Sequence, residues 1–328
     1  MPTVPDTFAR LAAIPGVTAL RNAPLAEHAR FGIGGPADVL VDAATREAFT
    51  GALQAARASG LQTVVIGGGS NLIVSDDGFR GVVLRFSASG IAAEGTTVRA
   101  DAGAVLQDLV DFTVDRGLQG LETMTGIPGW TGAAVYGNAG AYGHSISERV
   151  ERVCFFDGDR VRHTDKAGCA FQYRESIFKR RKDWVILSAE LVLDPGDAAA
   201  LRSTADRIRA VRDGKYPPAM KCAGSIFKNY LLAGLPAEVA AEVPPGAVIE
   251  GKVPSAWFLE RIGAKGMRSG DIRVADYHAN LIYNAGAGTA RDLTALIDEL
   301  KQRVEDRWGM PLEEEVQYIG FPDRAART

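Results

Sequence analysis

The segment from Thr123 to Ser147 most constrains what this chain can fold into, because it contains six glycines and no Asp, Glu, Lys or Arg. Pro128 and the glycines make it a poor membrane-spanning helix despite its lack of charge. A backbone without Cβ atoms can press closely against another backbone or against an extended ligand. Dense helix-to-sheet packing uses the same residue types and stays open as an alternative, but ligand contact is the interpretation that we favour.

The composition of the 328-residue chain narrows the functional classes. Lys and Arg number 37 against 40 Asp and Glu, for a net charge of −3, which argues against a general nucleic-acid or membrane binder. The three cysteines, Cys154, Cys169 and Cys222, show no zinc-site or disulfide spacing and indicate a reducing cytoplasm. With no apolar leader at the N-terminus, we expect a cytoplasmic monomer of about two domains that binds no metal.

Alternating β-branched runs and helical patterns predict α/β architecture in the first half. We predict strands at 39–41, 63–66, 82–84, 97–99 and 184–193, a hairpin from Cys154 to Val161, and helices at 45–58 and 105–114. The strand, helix, strand order over 39–66 predicts a parallel pair.

The break at Asp194-Pro195-Gly196 predicts a domain boundary, because a new amphipathic helix capped by Asp197 begins after it. The second half then predicts a helix at 255–262, a strand at 281–283 and a long helix whose capping box begins at Thr289.

The turn Gly67-Gly68-Gly69-Ser70-Asn71 follows a predicted buried strand and can cradle phosphate through its backbone N–H groups. It is not a Rossmann turn, because it lacks the Gly-x-Gly-x-x-Gly spacing and the crossover helix. A tight glycine turn without a ligand is an equal alternative. Together with Gly126–Gly143, however, it suggests a long cofactor with a diphosphate.

Arg174 lies beside aromatic residues, and its rigid guanidinium matches a carboxylate. A structural salt bridge explains Arg174 equally well. Between Arg207 and Lys228, six basic residues accompany one acidic residue, which makes this segment a plausible anion site.

Gly224 leaves the hydroxyl of Ser225 accessible within this basic segment, although a turn or cap hydrogen bond is the simpler explanation of a single Ser. A Ser hydrolase is not indicated, because Gly-x-Ser-x-Gly is absent. Near the C-terminus, Leu312–Val316 carries three glutamates on a predicted strand, and a solvated edge strand is the simpler alternative.

In this order, these segments resemble the UDP-N-acetylenolpyruvoylglucosamine reductase family over nearly the whole chain. The matching motifs are Phe31–Ala37, Gly67–Asn71, Gly126–Gly143, Tyr173–Phe178, Ala223–Asn229 and Leu312–Val316. The resemblance implies a vanillyl-alcohol-oxidase-type FAD-binding domain at 1–195, in two lobes of about 15–85 and 86–195. It further implies a separate α+β substrate-binding domain at 196–310 and a tail, 311–328, that returns to the active site.

The resemblance implies NADPH-dependent reduction of UDP-N-acetylglucosamine enolpyruvate to UDP-N-acetylmuramate in peptidoglycan precursor synthesis. NADPH would reduce tightly bound FAD, whose N5 would pass hydride to C3 of the enolpyruvyl ether. Ser225 would protonate C2, while Arg174 and Glu315 bracket the substrate carboxylate. The alternatives are another FAD oxidoreductase of the same fold with a different substrate, or a nucleotide-binding regulatory module.

The resemblance also implies binding residues. Substrate would contact Tyr173, Lys215, Lys228 and Asn229. FAD would contact Gly67, Gly68, Gly69, Ser70, Asn71, Gly126, Ile127, Pro128, Gly132, Ala133, Asn138, Gly140, Ala141 and Tyr142. The chain lacks the Tyr-bearing insertion of one subclass, and Tyr230 and Glu314 stand where proline is common in relatives.

Overall fold

A computed structural model describes residues 3–322 and 324, and these residues form two compact units. Unit 1 contains the described residues up to 23, then 37–69 and 80–218. Unit 2 contains 24–36, 70–79 and the described residues from 219 onward. The chain therefore passes between the units five times. Residues 323 and 325–328 of the predicted tail lie outside the described residues.

The described residues form helices and strands throughout both units. The α-helices are α1 (Val4–Ala12), α2 (Arg46–Ala58), α3 (Leu106–Val114), α4 (Thr131–Tyr136), α5 (Ile177–Arg180), α6 (Ala198–Lys215), α7 (Ala237–Glu242), α8 (Ser255–Arg261) and α9 (Ala290–Trp308). Short 3-10 helices lie at Leu25–His28, Glu122–Met124, Ile146–Glu148, Leu232–Gly234 and Pro245–Ala247. Within the described ranges, no helix combines the length and the apolar character needed to cross a bilayer.

The strands are mostly short. They are β1 (Val17–Pro24), β2 (Pro36–Ala43), β3 (Thr63–Ile66), β4 (Leu72–Val74), β5 (Phe79–Phe86), β6 (Ile91–Glu94), β7 (Thr97–Asp101), β8 (Leu118–Gln119), β9 (Gly140–Ala141), β10 (His144–Ser145), β11 (Val150–Phe156), β12 (Val161–Asp165), β13 (Val185–Val192), β14 (Asp194–Pro195), β15 (Lys221–Ser225), β16 (Tyr230–Leu231), β17 (Lys252–Val253), β18 (Arg268–Ser269), β19 (Ile272–Ala275), β20 (His278–Asn284) and β21 (Gln317–Ile319).

Unit 1 contains two larger sheets, with strand orders β1-β2-β5-β3 and β12-β11-β13-β7-β6. Strand β3 pairs in parallel with β5, and β5 lies between β2 and β3. The predicted parallel pairing of 39–41 with 63–66 is therefore wrong, because a later strand occupies the place between them. The predicted hairpin is confirmed, since β11 and β12 pair antiparallel across the Gly158 turn.

The core of unit 1 is aliphatic, with aromatic side chains at two places. Phe49 and Phe86 pack with ring centroids 5.2 Å apart, and Phe155 stacks on Trp184 at 4.5 Å. Such offset and tilted ring pairs add to the stabilisation from area burial alone. Helix α2, capped by Thr45 as predicted, buries Phe49 and Leu53 in this core.

Helix α6 belongs to unit 1, although the sequence predicted a boundary before it at residue 195. Asp197 caps the helix as predicted, through a 2.7 Å hydrogen bond from the Ala200 amide. Arg202 of α6 forms ion pairs of 2.5 Å with Asp111 and Asp115 at the end of α3. The change to unit 2 consequently falls after residue 218.

Unit 2 is built on the sheet β15-β20-β19-β18, against which α8 and α9 pack. The predicted capping box of α9 is present, formed by Thr289 and Asp292. The core combines the apolar face of α9 with aromatic residues, including Phe258 and Trp308 in an edge-to-face pair at 5.1 Å.

Strand β4, in a segment far earlier in the sequence, completes unit 2 by pairing in parallel with β21. The predicted strand at 312–316 is instead an irregular segment with a single bridge, between Glu314 and Phe227. Its regular pairing begins only at Gln317, because that is where β4 offers its main-chain partners.

Candidate active site

The glycine turn after β3, Gly67–Gly69, lies against the second glycine-rich segment, Gly126–Gly143, inside unit 1. A Cβ atom on Gly67 would lie 3.4 Å from Cβ of Ala133, and one on Gly68 would lie 2.9 Å from Cδ1 of Trp130. Gly69 has φ +71°, a left-handed conformation that favours glycine. The structure thus brings together two segments that the sequence singled out separately.

Residues at this turn fit a FAD diphosphate. Within residues 3–322 and 324, the amides of Gly67, Gly68 and Gly69 donate no hydrogen bond to the protein. Successive N–H groups of this kind, around a left-handed glycine, form an anion-binding concavity. The Arg85 guanidinium, 4.9 Å from the Trp130 ring centroid, adds positive charge nearby.

Packing against protein accounts for two glycines of the second segment. A Cβ atom on Gly132 would lie 2.6 Å from Cβ of Ala102, and one on Gly140 would lie 3.1 Å from Cα of Ser145. The Gly132 amide donates to the Ala102 carbonyl at 2.9 Å. The dense-packing alternative therefore applies to Gly132 and Gly140, and their contact with FAD stays a prediction.

Two further amides of this segment also have protein partners. The Gly126 amide donates to Oε1 of Gln107 at 2.8 Å, and the Ile127 amide donates to the Met124 carbonyl at 3.0 Å. A Cβ atom on Gly126 would lie 3.1 Å from Cδ of Arg212, so α6 covers this loop. These backbone donors are consequently in use within unit 1.

Arg174 occupies a tight turn in which Gln172 and Glu175 exchange main-chain hydrogen bonds of 3.0 and 3.1 Å. Its φ of +58° is left-handed, which is uncommon for a side chain of this size. Its guanidinium donates to the Gly140 carbonyl at 3.0 Å, and Lys179 donates to the Arg174 carbonyl at 2.7 Å. The strained turn and its bonds fix the position of the guanidinium.

Asn138 holds the Arg174 turn in place. Its Nδ2 donates to the Gln172 carbonyl at 2.8 Å, and its Oδ1 accepts from the Ser147 amide at 3.3 Å. Its own carbonyl accepts from Arg174 at 3.5 Å. Asn138 therefore helps to hold the turn that carries Arg174. The contact of Asn138 with FAD stays a prediction.

Tyr136 lies in the same part of unit 1. Burial, together with the charge of Glu175, raises the pKa of Tyr136 to about 12. Ser176, from the Tyr173–Phe178 motif, donates its hydroxyl to the Tyr136 carbonyl at 2.7 Å. This bond ties the turn that carries Arg174 to the end of α4.

Ser225 and Glu315 lie in unit 2, on neighbouring main-chain segments. Ser225 ends β15 and pairs with Leu281 of β20. The Glu315 amide donates to the carbonyl of Ile226 at 2.7 Å, and the Lys228 amide donates to the Glu313 carbonyl at 2.9 Å. The structure therefore places the two predicted catalytic residues on either side of one short antiparallel contact.

Asn71 brackets Glu315 from the other direction. Its Nδ2 donates to the Glu315 carbonyl at 2.8 Å, and its own carbonyl accepts from the Gln317 amide at 2.9 Å. The predicted phosphate turn thus ends in a residue that fixes the main chain around a predicted catalytic carboxylate. Its contact with FAD stays a prediction.

The two glutamates that precede Glu315 each form an ion pair with a lysine. Glu313 forms an ion pair with Lys228, whose side chain is largely buried. The Glu314 carboxylate pairs with Lys301 of α9 at 2.6 Å and is 9% exposed. Glu314 also hydrogen-bonds Tyr318, whose pKa is raised by burial and by this carboxylate. Glu314 therefore has a structural role in α9 contacts.

The predicted substrate residues divide between the units. In unit 1, Tyr173 lies beside Arg174, with its ring centroid 5.4 Å from the guanidinium, and Lys215 is exposed at the end of α6. In unit 2, Lys228 pairs with Glu313, and Oδ1 of Asn229 accepts from the Ser255 amide at 3.3 Å. The basic segment 207–228 therefore contains the change from unit 1 to unit 2, which falls after residue 218.

All of the predicted site residues lie among the described residues, and they divide between the two units in the same way. Unit 1 contains Gly67, Gly68, Gly69, Gly126, Ile127, Pro128, Gly132, Ala133, Asn138, Gly140, Ala141, Tyr142, Tyr173, Arg174 and Lys215, and unit 2 contains Ser70, Asn71, Ser225, Lys228, Asn229 and Glu315. Sequence reasoning missed Asn280 and Lys301, which contact the segments that carry Ser225 and Glu315. A polar residue inside the apolar run Ala279–Ile282 was the available signal for Asn280.

Family comparisons assign both parts of the chain. A FAD binding domain model matches residues 37–159, which include the glycine turn and the whole of the segment Gly126–Gly143. A model described as the C-terminal domain of UDP-N-acetylenolpyruvoylglucosamine reductase matches residues 216–319. The chain is thus a FAD-binding oxidoreductase with a separate C-terminal domain, which confirms the predicted fold class.

Whole-chain relatives define the family. The UDP-N-acetylenolpyruvoylglucosamine reductase of Solibacter usitatus is 63% identical over 95% of this chain and 100% of its own length. That of Bacillus subtilis is 33% identical over 92% of this chain and 94% of its own. The crystal structure of the Thermus caldophilus reductase matches with a TM-score of 0.72 and 28% identity, over 92% of this chain and 98% of that one. The chain belongs to the UDP-N-acetylenolpyruvoylglucosamine reductase family.

Proposed function

We propose that this chain reduces the enolpyruvyl ether of UDP-N-acetylglucosamine enolpyruvate to the D-lactyl ether of UDP-N-acetylmuramate, a step in peptidoglycan precursor synthesis. The hydride donor is NADPH. The observation that carries the proposal is the 2.7 Å bond from the Glu315 amide to the Ile226 carbonyl, which places a carboxylate-bearing segment beside Ser225. A FAD-binding domain and family membership supply the context.

Ser225 is the proton donor to C2 in this proposal. Within residues 3–322 and 324, its hydroxyl has no hydrogen-bond partner, so it is available to a ligand. An unperturbed Ser is a very weak acid, and it can donate only to a strongly basic centre. The carbon next to the substrate carboxylate becomes such a centre when C3 has received hydride, and the proton then completes the C2–H bond.

Arg174 pairs with the substrate carboxylate and stabilises the enolate charge that develops on it. A donor aimed at developing charge typically contributes about 2.7–4 kcal/mol to transition-state stabilisation. The left-handed turn and the bonds from Lys179 and to Gly140 hold the guanidinium ready, so little reorganisation is needed. Glu315 contacts the same carboxylate and helps to delocalise the charge.

The cofactor and the nucleotide are held by different groups. The amides of Gly67–Gly69 would hold the FAD diphosphate, and FAD, when bound, would supply hydride transfer between NADPH and substrate. Tyr173, Lys215, Lys228 and Asn229 bind the UDP-sugar, whose diphosphate suits basic side chains. NADPH and substrate use the enzyme in turn, which predicts ping-pong kinetics.

The test follows the flavin colour through the two half-reactions separately. Purified holoenzyme is held anaerobically, NADPH is added, and UDP-N-acetylglucosamine enolpyruvate follows. We expect bleaching by NADPH and recovery of colour with substrate. For Ser225→Ala we expect normal bleaching and almost no recovery.

Two results would contradict the proposal. Recovery at the normal rate in Ser225→Ala would remove Ser225 from the protonation step. Bleaching without recovery in the unaltered enzyme would leave a FAD oxidoreductase of this fold that acts on a different substrate.

A further inference from the structure

Asn280 lies in the middle of β20 and is 2% exposed. Its side chain makes two hydrogen bonds with the main chain of one residue. Its Oδ1 accepts from the Phe227 amide at 3.0 Å, and its Nδ2 donates to the Phe227 carbonyl at 2.9 Å. Its own carbonyl accepts from the Ile226 amide at 3.2 Å. Asn280 therefore provides all of these bonds to the two residues that follow Ser225.

The ladder between β15 and β20 explains why a side chain is needed here. Cys222 pairs with Tyr283 and Ser225 pairs with Leu281, with a register shift between the two pairs. Beyond Ser225, on the edge that faces β20, the amide and the carbonyl of Phe227 are hydrogen-bonded by the Asn280 side chain instead of by a peptide group. An Asn side chain offers the same donor and acceptor as a peptide, so it extends the ladder past the irregularity. Phe227 is buried, so its main-chain amide and carbonyl would destabilise the fold if they had no hydrogen-bond partner.

The opposite edge of the same segment holds Glu315. Phe227 forms a bridge with Glu314, and the Ile226 carbonyl accepts from the Glu315 amide at 2.7 Å. One short piece of main chain, Ile226–Phe227, consequently carries Ser225 at its start and Glu315 alongside. Asn280 fixes this piece from the side that faces away from Glu315.

We propose that Asn280 is a positioning residue for the protonation step. It holds Ser225 and Glu315 in position through the Ile226–Phe227 main chain and does not touch substrate. This inference rests on the proposed roles of Ser225 and Glu315. It predicts that disturbing Asn280 slows the half-reaction that uses those residues and spares the reduction by NADPH.

Asn280→Asp is the most informative change, because it keeps the shape and, when ionised, can no longer donate to the Phe227 carbonyl. We expect substrate-driven recovery of flavin colour to slow by about tenfold or more at neutral pH, since misplacement of reacting groups is costly. Bleaching by NADPH should change by less than about twofold, and substrate affinity should change little.

Asn284→Asp is the matched control on the same strand. Asn284 is 5% exposed, and its side chain bonds the Phe31 carbonyl and the amides of Gly286 and Gly288. This change should lower thermal stability and leave the ratio of the two half-reaction rates unaltered. A role of Asn280 in stability alone predicts the same behaviour for both variants.

Coupling to Ser225 provides the second readout. Adding Asn280→Asp to Ser225→Ala should slow the recovery of flavin colour by less than about a further threefold. The reason is that Ser225, the residue through which Asn280 mainly acts, is already removed. A full additional tenfold loss would show that Asn280 does not act through Ser225 and would overturn that part of the inference.

The remaining outcomes separate the two proposals. Normal recovery in Ser225→Ala would refute the proposed function itself. Loss of recovery in Ser225→Ala with normal recovery in Asn280→Asp would refute only the positioning role. If Asn280→Asp gives no folded, FAD-containing protein, Asn280→Ser keeps one hydrogen-bonding group and is judged by the same criteria.

Discussion

Replacing Lys301 by Met tests how firmly helix α9 holds the segment that precedes β21. Nζ of Lys301 lies 2.6 Å from Oε1 of Glu314, whose side chain is 9% exposed, while Lys301 is 28% exposed. Removing one partner of a buried ion pair typically costs about 3–5 kcal/mol, because the remaining charge is left without compensation. Lys301 is only partly buried and Tyr318 still bonds Glu314, so we expect a loss of about 2 kcal/mol.

Hydrogen exchange read by mass spectrometry measures this loss locally. For amides of Leu312–Ile319 that exchange through local opening, 2 kcal/mol corresponds to exchange about 30-fold faster. The double variant Lys301→Met/Glu314→Gln removes both charges, and we expect it to recover most of the protection. If the double variant exchanges as fast as Lys301→Met, or if Lys301→Met exchanges at the normal rate, the buried-charge argument is refuted.

Three further predictions concern unit 1. Gly132→Val should lower the free energy of unfolding by about 1–3 kcal/mol in urea titration, because its Cβ would lie 2.6 Å from that of Ala102; an unchanged midpoint would contradict the packing described here. Arg202→Ala should cost less than about 1 kcal/mol, and the cost should vanish in 1 M salt, because this ion pair is partly exposed. Burial alone would raise the pKa of Asp111, but hydrogen bonds from Arg202 and Gln107 hold this pKa below its usual value. The stabilisation by the Asp111–Arg202 pair is therefore complete at neutral pH and is lost as the pH falls through the folded-state pKa of Asp111. An effect of Arg202→Ala that persists in acid would contradict this prediction. Burial, with the charge of Asp165, raises the pKa of Cys169 to about 12, so at pH 8 its thiol should react with a disulfide reagent only as the protein unfolds; rapid labelling of the native protein would disprove this.

Local signals predicted the ends of helices well. Thr45, Asp197 and Thr289 each cap the helix that the sequence placed after them. A cap depends on a side chain and an amide only three residues apart, so the information is contained in the sequence window itself. The same holds for the β11–β12 hairpin around Gly158.

Long-range pairing was not predictable in this way. Nothing between residues 39 and 66 shows that β5 will lie between β2 and β3. Likewise, the strand expected at 312–316 is displaced to Gln317–Ile319, because its partner is β4. Sheet order depends on partners that are distant in the sequence, and the local pattern of apolar residues is compatible with several orders.

The candidate site shows both sides of this limit. Motif order linked Ser225 with Glu315 before any geometry was known, and their main-chain segments do lie together. Asn280 could not be linked to them, because its partner Phe227 is 53 residues away in the sequence. A buried polar residue in an apolar strand indicates some hydrogen-bond partner, but the fold alone identifies which one.

The repeated passage of the chain between units has a consequence for synthesis on the ribosome. Unit 1 has all of its residues once residue 218 has been made, whereas unit 2 lacks β21 until nearly the whole chain exists. Phe31, Ile33 and Ile73 belong to the buried core of unit 2 and are made early. These apolar side chains therefore wait, uncovered, in two loops tethered at both ends to unit 1. Late elongation is consequently a stage at which apolar side chains of unit 2 are exposed and aggregation is favoured.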